Sequence, residues 1–170
     1  PLSSLRRLWI GFFDVVGRMC YSQSSEIVSL FERNAAAQRY FGAAAEKITI
    51  IPNGIQTEAF EVLNAAREAR RSNLGNVGPV VGFLGRVVSI KDVKTLLRAA
   101  ARVRQTLPNV RFLIAGPQEE EPEYFAECQE LATRLDLHDC AYFLGPKNRN
   151  EFLPELDLMI LSSVSEGLPF

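Results

Sequence analysis

Short apolar runs alternate with amphipathic stretches along the second half of the chain. Four apolar runs predict strands: residues 80–84, 110–115, 140–144 and 158–161. Three amphipathic stretches between or after them predict helices: residues 93–107, 124–135 and 150–156. Because continuous apolar strands separated by helices are typical of parallel crossovers covered on both faces, the pattern predicts an α/β fold with a Rossmann-like, doubly wound parallel sheet.

The amino-terminal stretch is also amphipathic. Five apolar residues share one helical face within residues 1–17: Leu5, Leu8, Phe12, Val15 and Val16. Asp14 interrupts the apolar run early and no small-residue cleavage site follows, so the spacing favours a helix over a signal peptide.

Shorter elements follow this helix. Residues 26–31 and 47–51 predict strands, the second ended by a Pro-Asn-Gly turn. Between them, Asn34 can cap a helix that runs to Tyr40 and ends at Gly42. Residues 57–72 are rich in Ala, Glu and Arg and predict an exposed helix, and residues 73–79 have the composition of a loop.

Charge and hydropathy exclude several classes of protein. The chain has 170 residues and a formal net charge of -1, so it offers no general attraction to nucleic acid or to anionic lipid. Its apolar runs fall well short of the roughly 20 residues that span a bilayer. We therefore expect a soluble, cytoplasmic domain with a small or local partner.

The cysteines and aromatic residues indicate packing rather than chemistry. Cys20, Cys128 and Cys140 are widely spaced and form no CxxC pair, so we expect buried free thiols. His138 is the only histidine and is expected in a loop. Five phenylalanines lie on apolar faces and are expected in the core: Phe12, Phe13, Phe83, Phe112 and Phe143.

Candidate chemistry lies where the predicted strands end, because ligands of such sheets bind outside the carboxyl ends of the strands. Gly85, Gly116 and Gly145 follow three of the strands and allow the backbone to approach a ligand closely. Arg86 and Lys91 follow the first of these strands, and Lys91 lies near the start of a helix. Two cations at a helix amino terminus are suited to an anion such as a diphosphate. On spacing alone, solvated loop charges explain them equally well.

Other nucleotide motifs are missing, and two acidic features remain. GxxxxGK[ST] and GxGxxG are both absent, which argues against P-loop hydrolysis and dinucleotide redox chemistry. Glu166 lies in a polar loop after the last predicted strand and matters only if the sheet brings it beside Arg86 and Lys91. The acidic residues 119–121, with Glu123, are expected to open a helix, where negative charge favours the amino terminus, and successive carboxylates on a helix do not converge on one metal ion.

Several weak motifs in the right order carry a family resemblance. G-R-V-V-S-I-K-D-V-K-T-L-L-R-A-A (85–100), F-L-I-A-G-P (112–117), F-L-G (143–145) and S-E-G-L-P (165–169) resemble glycosyltransferase family 4 of the GT-B type, as does I-P-N-G-I (51–55). Within that family, residues 29–38 and 85–95 are most similar to a branch that builds exopolysaccharide. The resemblance covers nearly the whole chain from residue 26 onward.

The resemblance implies roles for the candidate residues. Gly85, Arg86 and Lys91 would hold the diphosphate of a nucleotide sugar, a UDP-sugar and by analogy UDP-glucose, without a metal or other cofactor. Glu166 would be the first Glu of the E-x7-E motif and the catalytic residue facing the donor sugar. The nucleotide side would be lined by three residues: Gly116, Leu144 and Gly145. Asp92 stands where many relatives have Gly.

The resemblance also implies a domain plan and leaves alternatives open. Residues 1–52 would end the acceptor-side domain, 53–78 would link the domains, and 79–170 would be a truncated nucleotide-sugar-binding domain. The second Glu of E-x7-E would fall beyond Phe170, so we expect a fragment that is inactive alone. The implied function is a retaining hexosyltransferase with a glycan acceptor, working in a membrane-associated synthase complex. A GT-B UDP-sugar 2-epimerase and a non-catalytic nucleotide-sugar-binding scaffold remain alternatives, and a Glu eight residues after Glu166 would favour the transferase over the scaffold.

Overall fold

The computed structural model describes residues 4–54, 64–65, 67–69 and 78–166. The chain divides into two compact units, and the boundary between them in the sequence follows residue 55. Residues 64–65 and 67–69 are helical, whereas the rest of the helix predicted over 57–72, and the loop predicted over 73–79 apart from residues 78 and 79, lie outside the described residues.

The first unit contains two helices and a small parallel sheet. Helix α1 spans Ser4–Gln23, strand β1 Ile27–Ser29, helix α2 Glu32–Tyr40 and strand β2 Ile48–Ile50. β1 and β2 are parallel, with Ile27 opposite Ile48. The Lys47 ammonium donates a 2.9 Å hydrogen bond to the Ser24 carbonyl, which ties the end of α1 to the start of β2.

The start of α2 corrects the sequence prediction. The helix begins at Glu32, with Phe31 as the capping residue, and Asn34 lies inside its first turn rather than at its cap. The backbone N–H groups of Asn34 and Ala35 both donate to the Phe31 carbonyl, at 3.0 and 3.2 Å. The predicted end is confirmed, since Gly42 takes a φ of +96° and its N–H donates to the Arg39 carbonyl.

Helix α1 forms as predicted, but its side chains are not in a core. No residue of α1 is buried, and Phe12 and Phe13 are 55% and 62% exposed. The prediction that these two phenylalanines are core residues is wrong among the described residues. Cys20 on the same helix is exposed as well, which corrects its assignment as a buried thiol.

The second unit is the predicted parallel α/β sheet. Its elements alternate along the chain: β3 (Val80–Leu84), α3 (Val93–Thr106), β4 (Arg111–Ala115), α4 (Pro122–Arg134), β5 (Ala141–Gly145), α5 (Arg149–Phe152) and β6 (Leu158–Met159). The strand order is β5-β4-β3-β6 and every pairing is parallel. After β3 the chain adds β4 and β5 on one side, and then returns to place β6 on the other. The strand order therefore reverses between β3 and β6.

Both faces of this sheet are covered. Successive side chains of a strand point to opposite faces, and each face carries its own cluster of buried residues. Phe83, Phe112 and Ile114 face the larger core, which contains Leu96 and Leu97 of α3. On the other face, a smaller cluster joins the strand residues Val80 and Ala115 to Phe152 of α5 and to Leu156, which follows it. Gly82 is needed on that face, since a Cβ there would lie 2.2 Å from a methyl carbon of Leu156.

The aromatic and thiol predictions hold in this unit. Phe83 and Phe112 are 1% and 4% exposed. Phe143 is partly buried against the larger core, edge to face with Phe125 at a centroid distance of 5.4 Å. Cys128 and Cys140 are buried free thiols.

We expect the three thiols to differ sharply in reactivity. Burial raises the pKa of the Cys128 and Cys140 thiols, so each is both inaccessible and protonated at neutral pH. Titration of the native chain with a disulfide reagent at pH 8 should therefore release about one equivalent quickly, from Cys20, and three after denaturation. Fast release of three equivalents by the native chain would contradict the packing described here. A Cys20→Ser variant should lose the fast phase.

Candidate functional site

The candidate site begins where three neighbouring strands end in glycine. The Gly85 N–H donates to the Ala115 carbonyl at 2.9 Å, and the Gly116 N–H donates to the Gly145 carbonyl at 2.8 Å. These bonds extend the sheet past β3 and β4, so the three predicted glycines lie side by side at its carboxyl edge. Gly116 has a φ of +145°, and a Cβ on it would lie 2.0 Å from the Gly85 oxygen. Only glycine fits this close approach of two backbones.

Strand β5 is irregular at the same edge. Ile114 pairs with Phe143 whereas Ala115 pairs with Gly145, so Leu144 is an extra residue in β5. Gly145 takes a φ of +67° in this irregularity. A bulge bends its strand and redirects the residues beside it. The predicted nucleotide-side residues Gly116, Leu144 and Gly145 therefore share one irregular corner of the edge.

The loop between β3 and α3, residues 85–92, is anchored to the core by two buried valines of its own. Val87 and Val88 are 0% and 2% exposed, and the Val87 N–H donates to the Pro117 carbonyl at 2.8 Å. Ser89–Lys91 form a turn of 3-10 helix. The buried valines between Arg86 and Lys91 fix the loop that carries both cations, with Arg86 exposed and Lys91 mostly buried.

Asp92 connects this loop to α3. It adopts the left-handed conformation, with φ 45° and ψ 51°, and its carboxylate accepts a hydrogen bond from the Thr95 N–H at 3.2 Å. The conformation explains why glycine suits this position, and the cap explains why aspartate is accommodated.

A pair of substitutions separates these two effects of Asp92. Asp92→Ala loses the cap and keeps the unfavourable backbone, so we expect it to cost about 1 kcal/mol of unfolding free energy. Asp92→Gly also loses the cap but relieves about 1–2 kcal/mol of left-handed strain, so it should be at least as stable as the parent. Urea unfolding of the three proteins measures the order. An alanine variant as stable as the glycine variant would contradict it.

Lys91 and Glu166 form the centre of the site. The Lys91 ammonium lies 2.5 Å from a Glu166 carboxylate oxygen, and their side chains are 19% and 24% exposed. The Ser163 hydroxyl donates to the same oxygen at 2.5 Å. The carboxyl-terminal loop is fixed beside the lysine by the Ser162 hydroxyl, which donates to the Lys91 carbonyl at 2.9 Å, and by the Val164 N–H, which donates to the Ile90 carbonyl.

This geometry keeps Glu166 ionised. Its pKa lies below the ordinary value of 4.5, because Lys91 and then Ser163 donate hydrogen bonds to the carboxylate and the charges of Lys91 and Arg86 add to the effect. The chain thus places one carboxylate in contact with Lys91 and within reach of the charge of Arg86, at the ends of β3 and β6. That is the point where the strand order reverses.

The acidic run after β4 makes contacts that the sequence did not predict. Helix α4 begins at Pro122, and two acidic residues that precede it contact the loop between β3 and α3. The Glu120 carboxylate lies 2.5 Å from the Arg86 guanidinium. Glu121 accepts hydrogen bonds from the Ser89 N–H at 2.9 Å and from its hydroxyl at 3.3 Å. Glu121 is the N-cap residue of α4 and Glu123 lies in its first turn, so the predicted acidic start of this helix is confirmed there, whereas Glu120 precedes the helix.

The structure therefore brings together Lys91 and Glu166, with Arg86 acting on Glu166 through space. It adds four residues that sequence reasoning did not assign to the site: Ser89, Glu120, Ser162 and Ser163. The sequence offered one indication that these residues belong to the site: each of them follows the carboxyl end of a predicted strand. His138 lies in the turn between α4 and β5. It is exposed, and its Nδ1 lies 3.0 Å from the Asp136 carboxylate.

Two kinds of feature are absent from the residues that the structure describes. No group of three or more His, Cys, Asp or Glu side chains among them is placed to hold a metal ion. No helix among them is both long enough and apolar enough to cross a membrane.

Comparison with known proteins gives a consistent family assignment. Residues 78–170 match the family described as glycosyl transferases group 1, and residues 1–46 match a domain of unknown function, DUF3492. A 2-deoxystreptamine glucosyltransferase of Streptomyces kanamyceticus is 25% identical, over 99% of this chain and 44% of its own length. A D-inositol 3-phosphate glycosyltransferase of Acidothermus cellulolyticus is 31% identical, over 75% of this chain and 30% of its own length.

Solved structures share the fold. HepE of Anabaena, in complex with UDP and glucose, superposes with a TM-score of 0.72 at 24% identity, over 90% of this chain and 42% of its own. Sucrose-phosphate synthase of Thermosynechococcus elongatus gives 0.72 at 20% identity, over 92% and 39%. The chain thus spans less than half the length of these relatives. These likenesses confirm the predicted Rossmann-like GT-B fold class.

Proposed function

Because the chain belongs to the glycosyl transferases group 1 family, we propose that it forms the nucleotide-sugar-binding part of a retaining hexosyltransferase. The proposed enzyme moves a hexose from a UDP-sugar to a polysaccharide or other acceptor. Residues 79–170 hold the donor in this proposal, and residues 1–52 belong to the acceptor side. The donor we propose is UDP-glucose, which is supported by the complexes of HepE with UDP and with UDP-glucose.

One observation carries the proposal: Lys91 and Glu166 meet at the point where the strand order reverses, with Arg86 on the same loop as Lys91. Ligands of doubly wound sheets bind outside the carboxyl ends of the strands, at the point where the strand order reverses. Cations held on a rigid loop at a helix amino terminus are suited to a diphosphate.

The chemistry follows from where charge develops. Breaking the bond between the sugar and the diphosphate puts negative charge on the leaving group. Arg86 and Lys91, already in place, stabilise that charge more in the transition state than in the bound donor, and they do so without a divalent metal. Glu166 is ionised, and the carboxylate oxygen that does not contact Lys91 can accept hydrogen bonds from donor-sugar hydroxyls. These bonds would hold the reacting carbon beside Arg86 and Lys91, which together form the diphosphate clamp.

The biological setting we propose follows from a resemblance in two segments of the chain. Residues 29–38 and 85–95 resemble the Pel exopolysaccharide glycosyltransferase, so we propose exopolysaccharide synthesis in the cytoplasm, within a membrane-associated synthase complex. We propose that the 170-residue chain binds the donor without turning it over, because the relatives it matches are more than twice as long.

The test is a calorimetric titration of the chain with UDP, UMP and uridine. A diphosphate clamp predicts that affinity falls in that order, because UMP carries one phosphate and uridine none. The falls should shrink as salt rises. Equal affinity for all three would mean that the nucleoside alone is recognised. A folded chain that binds none of them would contradict the proposal.

A further inference from the structure

The Arg86–Glu120 contact gives the site a feature that the proposed function leaves unexplained. Arg86 is one of the two cations assigned to the diphosphate, yet its guanidinium lies against a carboxylate 2.5 Å away. Lys91 is likewise paired with Glu166. Both cations therefore have counter-ions before any donor is bound.

The two pairs differ in how firmly they are held. Lys91 and Glu166 are mostly buried, and Ser163 binds the same carboxylate. Arg86 and Glu120 are 52% and 50% exposed. An ion pair this exposed contributes little to stability, so an incoming anion can break it at little cost. A carboxylate oxygen and a phosphate oxygen also accept the same hydrogen bonds from a guanidinium.

The neighbouring acid has a different contact and, by that contact, a different role. Glu121 binds the backbone N–H and the hydroxyl of Ser89, which lies between Arg86 and Lys91 in the loop. It holds the loop itself and does not neutralise a cation of the clamp. The segment after β4 therefore combines a residue that fixes the loop with a residue that covers its arginine.

We propose that Glu120 is the displaceable counter-ion of Arg86: it occupies the guanidinium in the free protein and is exchanged for a phosphate oxygen when a nucleoside diphosphate binds. The inference rests on the proposed function, since it assumes that Arg86 contacts the donor. It makes Glu120 a determinant of donor affinity. The Glu120 side chain has to leave the Arg86 guanidinium each time the donor enters, while Glu121 keeps its contact with Ser89 of the loop.

The consequence can be measured with one substitution. Glu120→Gln keeps the shape of the side chain and removes the charge that competes with the phosphate. We expect it to tighten UDP binding about two- to five-fold at low salt, the range that an exposed ion pair allows. The gain should shrink at high salt, and it should vanish in an Arg86→Ala background, where no guanidinium is left to release.

The experiment titrates the 170-residue chain and two variants, Glu120→Gln and Glu119→Gln, with UDP and with inorganic pyrophosphate. Glu119→Gln is the matched control, because it makes the same change in net charge and its carboxylate contacts the Gln118 N–H rather than a cation. Circular dichroism checks that all three are folded. The proposal predicts a gain for Glu120→Gln that clearly exceeds any gain for Glu119→Gln, with both probes.

Each other outcome has a definite meaning. UDP binding by the parent with no extra gain, or a loss, in Glu120→Gln overturns the counter-ion role and leaves the proposed function standing. A gain with pyrophosphate, when no protein binds UDP, supports the counter-ion and overturns the nucleotide function. Folded proteins that bind neither probe overturn both.

Discussion

Replacing Arg86 and Lys91 together by alanine is expected to weaken UDP binding by at least about 100-fold. Each cation donates hydrogen bonds to the diphosphate in the proposed complex, and a bond of this charged kind contributes about 1.5–3 kcal/mol. Calorimetric titration of the parent and the double variant measures the loss. Glu166 should remain folded in place through its contact with Ser163 and the Ser162 bond to the loop.

The matched control removes two other positive charges from the same unit. Arg98 and Arg102 lie exposed on α3, and the structure gives them no place at the strand ends. Their double alanine variant should bind UDP within a few-fold of the parent, because exposed charges at a distance are screened by salt. Equal losses in the two double variants would mean that net charge, and not a clamp, attracts the nucleotide.

The largest expected effect on stability comes from a single methyl group at the site. Gly116→Ala would place a Cβ 2.0 Å from the Gly85 oxygen and would force a φ of +145° on an L-residue. Because both the backbone and its neighbour oppose the change, we expect a loss of at least about 3 kcal/mol of unfolding free energy, or failure to fold. Urea unfolding, or yield of soluble protein, measures it.

Gly145→Ala serves as the control for this prediction. Gly145 also has a positive φ, +67°, but a Cβ there would meet nothing within 4 Å. Its loss should be limited to about 1–2 kcal/mol of backbone strain. If the two alanine variants were equally stable, the close approach of β3 and β4 at Gly85 and Gly116 would be wrong.

Much of the second unit could be predicted from the sequence, because its strands are continuous apolar runs with sharp ends. The bounds of β3 agree exactly, and α3 begins at the predicted Val93. Such runs arise when a strand is buried on both faces, and the glycines that follow mark where it stops. The position of candidate chemistry at the strand ends followed from the same pattern.

The arrangement within the site could not be predicted in the same way. The Arg86–Glu120 and Lys91–Glu166 pairs join residues 34 and 75 positions apart, so they depend on the order of the strands in the sheet. A local pattern contains no information on that order. The acids after β4 were expected to open a helix, which is a local property, whereas the partners of Glu120 and Glu121 lie on the adjacent loop and could not be predicted from neighbours in sequence.

Helix α1 shows a second limit. Periodicity identifies an apolar face through Leu5, Leu8 and Phe12, and the helix forms as predicted. The pattern says which side is apolar, but burial depends on another surface that packs there. In the described residues that face is exposed, and Cys20 is exposed with it.

A crystal structure of the 170-residue chain with UDP would show whether the donor diphosphate binds at the carboxyl ends of β3 and β6. We expect phosphate oxygens within hydrogen-bonding distance of both Arg86 and Lys91, with Glu120 released from the guanidinium. A diphosphate bound elsewhere, with both ion pairs intact, would contradict this expectation.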